Sequence, residues 1–133
     1  MIKLFIGGKG SGKTKALIEL VNNAANATAG SVVCIEKGNH LKLDITYKAR
    51  LIDTDYYSVY DAESLYGFIA GILASNSDIT DIFVDSALKI VNNDTAAFEK
   101  MLKKLEDITK DVKLVMTASI AVEECPEGIK AYA

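Results

Sequence analysis

The chain has 133 residues, of which half are apolar and a quarter are charged, and its formal net charge is −3 with a pI near 5.1. This length predicts one domain, residues 1–133, and the composition excludes an intrinsically disordered chain. The acidic balance argues against general affinity for nucleic acid or anionic membranes, which usually requires a basic face. We expect a cytoplasmic protein, because no apolar run reaches transmembrane length and the amino terminus lacks a signal-peptide pattern.

The first elements predicted are a strand, a glycine-rich turn and a helix. IKLFI, residues 2–6, is a short apolar run that ends at a glycine, as buried strands often do. Apolar residues then recur with helical spacing from Ala16 to Ala25, and Gly30 supplies a stop signal. SVVCI, residues 31–35, is typical of a parallel strand covered on both faces, with Cys34 as a small buried hydrophobe.

The middle of the chain predicts an edge element and a second helix. LKLDITYK, residues 41–48, alternates apolar and polar residues, which indicates a half-exposed edge strand or a hairpin arm. RLID, residues 50–53, predicts a further short strand. Asp61 is a suitable cap for the helix that follows, and Gly67 and Gly71, four residues apart on it, predict close packing against a neighbour.

The last elements complete an alternation of strands and helices. IFV, residues 82–84, predicts a buried strand ending at Asp85, and Asp94 or Thr95 begins an amphipathic helix. KLVMTAS, residues 113–119, is a fourth buried strand that runs into polar residues, and Cys125 after it is expected to be an unpaired loop thiol. The alternation predicts a three-layer α/β/α domain with a mostly parallel sheet.

A phosphate-binding loop is predicted between the first strand and the first helix. GGKGSGKT, residues 7–14, fits the pattern G-x-x-x-x-G-K-[ST] in the strand–loop–helix context that this pattern requires. Glycines let successive N–H groups converge, and the helix adds its positive end, so a nucleotide's phosphates fit there. The residues predicted to bind them are Gly7, Gly8, Lys9, Gly10, Ser11, Gly12, Lys13 and Thr14. Lys13 is also the predicted catalytic cation, and the Thr14 hydroxyl a ligand of Mg²⁺.

Asp85 is predicted to be the second magnesium ligand, because it ends a buried strand downstream of the loop. The next residue is Ser86, where a glutamate that orients the attacking water is common, so fast hydrolysis is not expected. Glu36, at the carboxyl end of the second strand, is the substitute candidate, with a solvated charge as the alternative interpretation. Glu123 and Glu124, which follow the fourth strand, are weaker candidates for orienting the water. Thr117 and Ser119, at the end of that strand, are candidates for a hydroxyl that contacts the γ-phosphate.

These motifs carry a resemblance to a known family. GGKGSGKT and IFVD resemble the Walker A and Walker B motifs of P-loop NTPases, and VVCIEKGNH, residues 32–40, is similar to the second strand of the recombinase-type (RecA-like) and secretion-ATPase branch. The chain also resembles small bacterial ATP-binding proteins of about this length, for which no reaction is established. The resemblance implies a P-loop NTPase fold that binds ATP and Mg²⁺. It also implies that a protein partner or a second copy can complete the site with a basic residue, and Arg50 is the only arginine here.

Three functions stay open at this point. The leading hypothesis is a Mg-dependent ATP-binding protein with slow ATPase activity, and the second is a nucleotide-sensing interaction module without useful turnover. The third is a small phosphotransferase, whose acceptor pocket would be lined by Asp53, Asp55, Tyr56, Tyr57 and Tyr60. One arginine argues against nucleotide kinases, which clamp phosphates with several. A guanine-reading N-K-x-D segment after a late strand is missing, so ATP is favoured over GTP.

Overall fold

The computed structural model describes all 133 residues, which form five strands and a set of helices joined by turns and loops. Each predicted buried run forms a strand, and each predicted amphipathic segment forms a helix. The elements in chain order are β1 (Ile2–Gly7), α1 (Lys13–Ala27), β2 (Ser31–Glu36), β3 (Ala49–Asp53), α2 (Ala62–Ser75), β4 (Ile79–Val84), α3 (Ala87–Ile90), α4 (Thr95–Ile108), β5 (Lys113–Ser119), a 3₁₀ turn (Val122–Glu124) and α5 (Glu127–Lys130). No helix among them has both the length and the apolarity needed to cross a membrane.

The five strands form one sheet in the order β1-β5-β4-β2-β3, and every strand pair is parallel. The predicted sheet was mostly parallel, and the only antiparallel pairing is an isolated bridge between Gly7 and Ile120. Because all strands run the same way, their carboxyl ends meet at one edge of the sheet. β5 lies between β1 and β4, so its polar end lies between the end of β1, which leads into the glycine-rich loop, and the end of β4, which leads into Asp85.

Helices cover both faces of the sheet, as the alternation of side chains along β2 shows. Val33 and Ile35 belong to a large hydrophobic cluster that contains the inner faces of α2 and α4. Val32 and Cys34 belong to a smaller cluster on the other face, together with α1. The protein is therefore an α/β fold compatible with a three-layer α/β/α arrangement. Burial, with the nearby carboxylates of Asp85 and Glu36, raises the pKa of the Cys34 thiol to about 12, so the thiol is neutral and unreactive.

Two of the long helices begin at the predicted aspartate caps. The Asp61 carboxylate accepts a hydrogen bond from the Ser64 N–H, and the Ser64 hydroxyl accepts one from the Asp61 N–H, which completes a capping box. Asp94 caps α4 in the same way through the N–H of Ala97. No side chain caps α1, which follows Gly12 in the left-handed region at φ 85°.

The prediction of an edge strand or hairpin arm for residues 41–48 is wrong. Leu41 and Ile45 are buried, whereas Leu43 and Tyr47 are 96% and 91% exposed. Burial therefore repeats every four residues instead of every two, and the N–H of Ile45 donates to the carbonyl of Leu41 as in a helical turn. The edge of the sheet is formed instead by β3, which is parallel to β2 and contains the predicted RLID strand.

A smaller expectation, about two glycines of α2, also fails. Gly67 and Gly71 are exposed, and a Cβ atom at either position would meet no atom within 4 Å, so close packing does not explain these glycines. Cys125 is an unpaired thiol in the loop between the 3₁₀ turn and α5, as expected, and its side chain is buried in the larger hydrophobic cluster. The short helices α3 and α5 were not predicted from the sequence, because a run of four residues gives too little periodicity.

Candidate functional site

The glycine-rich loop connects β1 to α1 at the carboxyl edge of the sheet. Gly10 and Gly12 adopt φ angles of 78° and 85°, and Gly7 adopts 156°. Residues other than glycine rarely adopt φ angles in this range. A Cβ atom at Gly7 would also lie 2.9 Å from the hydroxyl oxygen of Ser11. The loop conformation therefore requires glycine at these positions, two of which, Gly7 and Gly12, are the glycines that the sequence pattern fixes.

Lys13 is the first residue of α1, and its side chain turns back over the loop. Its ammonium donates to the carbonyl of Gly8 over 2.8 Å and to the Ser11 hydroxyl over 3.1 Å. The ammonium is thus positioned inside the curve of the loop, next to the uncapped start of the helix. A positive charge beside an uncapped helix start favours binding of an anion.

Asp85 follows β4 directly and receives hydrogen bonds from three hydroxyl groups. Thr14 donates to the two carboxylate oxygens over 3.0 and 3.3 Å. Thr117, on the neighbouring strand β5, donates over 2.8 Å, and Ser86 donates over 3.5 Å. The carboxylate is 8% exposed, so these hydroxyls satisfy most of its capacity as an acceptor. The two predicted metal ligands, Thr14 and Asp85, are therefore in direct contact.

Thr117 joins Asp85 to the turn that follows it. Besides donating to Asp85, the Thr117 hydroxyl accepts a 2.7 Å hydrogen bond from the N–H of Ser86. Ser86 is held in the left-handed conformation at φ 53° and ψ 50°, which is unusual for a residue with a side chain. Thr117 is 1% exposed. The hydroxyl predicted to face a γ-phosphate is instead engaged in holding the aspartate and its turn.

Replacement of Thr117 by valine is expected to lower the free energy of unfolding by about 3 kcal/mol, because both Asp85 and the Ser86 N–H lose a hydrogen-bond partner. The serine variant keeps the hydroxyl and is expected to lose about 1 kcal/mol for the missing methyl group. Urea denaturation of the two variants measures the difference. A valine variant at least as stable as the serine variant would contradict the bridging role of the hydroxyl.

Glu36 lies at the carboxyl end of β2 and is 2% exposed. One carboxylate oxygen accepts the N–H of His40 and the other accepts the N–H of Leu41, each over 3.0 Å. The side chain therefore fixes the turn that leads into residues 41–48. The water-orienting role predicted for Glu36 stays a prediction, but both of its oxygens already have backbone donors.

A cleft of about 520 Å³ adjoins the loop at the same edge of the sheet. Ser119 and Glu124, two of the weaker candidates, line this cleft together with Gly8 and Lys9 of the loop. Glu123 is exposed and does not line it. Of the glutamates proposed to orient water, Glu124 is the one that shares a cavity with the phosphate loop.

The group proposed as an acceptor pocket lies beyond β3, at the opposite edge of the sheet from β1. Asp53 accepts hydrogen bonds from the N–H groups of Gly38 and Asp55, and Asp55 forms a 2.6 Å ion pair with Lys37. The three tyrosines, Tyr56, Tyr57 and Tyr60, are exposed. None of them lines any of the four main clefts on the surface. The aspartates therefore organise a loop.

No family model matches the chain, and no curated protein is significantly similar to it. No group of three or more histidine, cysteine, aspartate and glutamate side chains is arranged to hold a metal ion. One carboxylate and one hydroxyl, Asp85 and Thr14, nevertheless fit Mg²⁺, which keeps several water molecules and takes its other ligands from bound phosphates.

Proposed function

We propose that the chain is a P-loop protein that binds ATP and Mg²⁺ and hydrolyses ATP slowly. The observation that carries the proposal is the contact between Thr14 and Asp85. These residues are 71 positions apart in the chain, and the sequence predicts both as ligands of one magnesium ion. A glycine-rich turn without a ligand gives no reason for its threonine to meet a strand-end aspartate.

The order of the strands gives further support. Because all strands are parallel, the loop that follows β1 and the aspartate that follows β4 lie at the same edge of the sheet, where one ligand can contact both. Here β5 lies between β1, which leads into GGKGSGKT, and β4, which ends at Asp85. The loop conformation is also consistent with phosphate binding, because three of its glycines occupy backbone regions that other residues avoid.

Each residue of the site has a role in this proposal. Lys13 moves from the carbonyl of Gly8 to the β- and γ-phosphates, whose charge it neutralises. Thr14 and Asp85 hold Mg²⁺, which when bound neutralises the phosphates and fixes their orientation. Thr117 and the N–H of Ser86 keep the Asp85 carboxylate in place. Hydrolysis is slow because Ser86 follows Asp85 at the position where a glutamate commonly orients the attacking water.

Thermal unfolding with and without Mg-ATP tests the proposal. A ligand that binds only the folded state adds about 2.7 kcal/mol of stability at 100 times its dissociation constant, so the melting temperature is expected to rise. The rise is expected to shrink when EDTA removes the metal, and phosphate release is expected to be measurable but slow. An unchanged melting temperature at millimolar Mg-ATP would contradict nucleotide binding.

A nucleotide-sensing module without useful turnover is the second candidate. It is favoured by the two backbone hydrogen bonds of Glu36 and by Ser86 in place of a glutamate, since both leave the site without a catalytic base. Single-turnover measurements separate the two candidates. Stabilisation by Mg-ATP with no phosphate release over many hours would support the sensing module. Turnover that is lost on replacing Glu124 by glutamine would support the slow ATPase.

A further inference from the structure

The outer side of β3 carries backbone groups that no other strand uses. Asp53 pairs with Glu36 in the parallel register of β3 with β2, and the N–H of Thr54 donates to the Glu36 carbonyl. In a parallel ladder, alternate residues of a strand point their N–H and C=O groups toward the neighbour. The groups of Ala49, Leu51 and Asp53 therefore point away from β2, at the edge of the sheet.

Most of these outward groups have no hydrogen-bond partner in the chain. The N–H of Ala49 donates to the carbonyl of Thr46, in the turn before the strand. The N–H groups of Leu51 and Asp53, and the carbonyls of Ala49, Leu51 and Asp53, form no hydrogen bond with any turn, loop or side chain. Unpaired backbone groups along a strand edge are a template for one more strand.

The other edge of the sheet is covered by the chain itself. The N–H of Leu4 on β1 donates to the carbonyl of Tyr132 over 2.9 Å, and the ammonium group of Met1 donates to the carbonyl of Val112 over 3.0 Å. The carboxyl-terminal residues therefore occupy the edge at β1. No segment of the chain occupies the outer side of β3 in this way, so β3 is the open edge.

Exposed apolar side chains are concentrated around this open edge. Five of the eight large apolar side chains that are exposed in the protein come shortly before or after β3 in the sequence: Leu43, Tyr47, Tyr56, Tyr57 and Tyr60. Tyrosine is enriched in protein interfaces, because its rigid ring buries a large area and its hydroxyl can form hydrogen bonds. A partner that pairs with β3 is expected to contact side chains from both groups.

The charges along the edge favour a second copy of the chain in the antiparallel direction. Lys48 and Arg50 are exposed at the amino end of β3, and the turn before them adds one lysine and one aspartate, which cancel. Asp53 and Asp55 lie at the carboxyl end, where an ion pair with Lys37 offsets one carboxylate. The amino end is therefore positive and the carboxyl end negative. Antiparallel copies bring opposite charges together twice, whereas parallel copies place like charges side by side.

We propose that two copies of the chain pair through β3 in the antiparallel direction, so that their two sheets become one. With Leu51 of each copy opposite Leu51 of the other, the N–H of each donates to the carbonyl of the other. The N–H of Asp53 donates to the carbonyl of Ala49 in the same arrangement. Both free N–H groups of each copy are then satisfied. The interface uses the same surface on both copies, as two-fold dimers do, and contains no residue of the proposed nucleotide site.

Sedimentation velocity of the full chain, without nucleotide, tests the proposal over a dilution series from millimolar to low micromolar protein. A reversible dimer is expected at the upper end of the series. Hydrogen exchange followed by NMR locates the contact. The amides of Leu51 and Asp53 are expected to exchange at least about tenfold more slowly in the dimer than in the monomer, because they become hydrogen-bonded between the two sheets.

Charge variants at the two ends of β3 test the direction of pairing. Lys48→Asp is expected to raise the dissociation constant of the dimer about tenfold or more, because an attraction becomes a repulsion at two symmetric positions. Adding Asp55→Lys to the same chain is expected to recover most of this loss, since the signs are again opposite. Lys110→Asp is the matched control. It makes the same change of charge in the turn before β5, about 14 Å across the sheet from β3, and is expected to change the dissociation constant less than about twofold.

Three outcomes would overturn the proposal. A chain that stays monomeric at millimolar concentration would leave the open edge to a strand of another protein. A dimer in which the amides of Leu51 and Asp53 exchange as fast as in the monomer would place the interface elsewhere. Equal effects of Lys48→Asp and Lys110→Asp would indicate a general effect of net charge. Circular dichroism confirms that each variant is folded before its dissociation constant is compared.

Discussion

Replacement of Lys13 by alanine is expected to weaken the affinity for Mg-ATP about 100-fold and to remove most of the stabilisation that the nucleotide provides. An ammonium that donates to phosphate oxygens makes charge-assisted hydrogen bonds, each worth about 1.5–3 kcal/mol, and a tenfold change in affinity corresponds to about 1.4 kcal/mol. In the free protein the same ammonium contacts only Gly8 and Ser11 at an exposed position. The free energy of unfolding of the variant is therefore expected to lie within about 1 kcal/mol of that of the parent. Thermal unfolding with and without Mg-ATP measures both quantities.

Lys15 supplies the matched control. It is an exposed lysine two residues further along α1, so its side chain leaves the opposite side of the helix. Lys15→Ala removes the same charge and is expected to retain most of the affinity for Mg-ATP. Equal losses in the two variants would show that the overall charge of the region, and not the position of Lys13, controls binding. Full retention of affinity in Lys13→Ala would contradict the phosphate-loop assignment itself.

Replacement of Glu36 by glutamine is expected to lower the free energy of unfolding by about 2–3 kcal/mol, although the two side chains have the same shape. The carboxylate accepts two backbone N–H groups in a buried position, and the glutamine amide can accept only one of them. The N–H of His40 or of Leu41 is then left facing another donor. Urea denaturation measures the loss, and hydrogen exchange is expected to accelerate at these two amides.

Glu19→Gln controls for the change of charge, because Glu19 is exposed on α1. It is expected to change the free energy of unfolding by less than about 0.5 kcal/mol. The comparison also decides between the two roles of Glu36. A Glu36→Gln variant that is as stable as the parent, but no longer releases phosphate from ATP, would favour the water-orienting role over the structural one.

The order of elements could be predicted well from the sequence because each depends on local information. Apolar runs predicted β1, β2, β4 and β5, and single aspartates predicted where α2 and α4 begin. The period of burial in residues 41–48 was misread, because four apolar residues at every second position satisfy a strand pattern while only two of them are buried. The packing of this segment against α1 decides which two become buried. The side-chain amide of Asn22 on α1 accepts a hydrogen bond from the N–H of Thr46 and donates one to the carbonyl of Asp44.

The contacts of the candidate site could be predicted only in part. The contact of Thr14 with Asp85 was expected, because each residue type has a defined role in magnesium binding. The engagement of Thr117 could not be predicted, since it requires the knowledge that β5 is next to β4. The hydrogen bonds of Glu36 depend on the backbone path of residues 38–41, for which the sequence has no periodic signal. In the sequence, Glu36 directly follows an apolar run and lies two residues before Gly38. A glutamate in that position could have suggested a structural role in the turn.

The position of β1 has a consequence for how the chain folds. β1 pairs with no strand except β5, so the first strand of the chain is fixed by the last, through pairs such as Ile2 with Leu114. Contacts between residues so distant in sequence close a long loop, and such topologies fold slowly compared with those that have local contacts. During synthesis the residues of GGKGSGKT emerge before β5, and β1 has no neighbouring strand until β5 is made. The loop is therefore expected to acquire its conformation late, when most of the fold has formed.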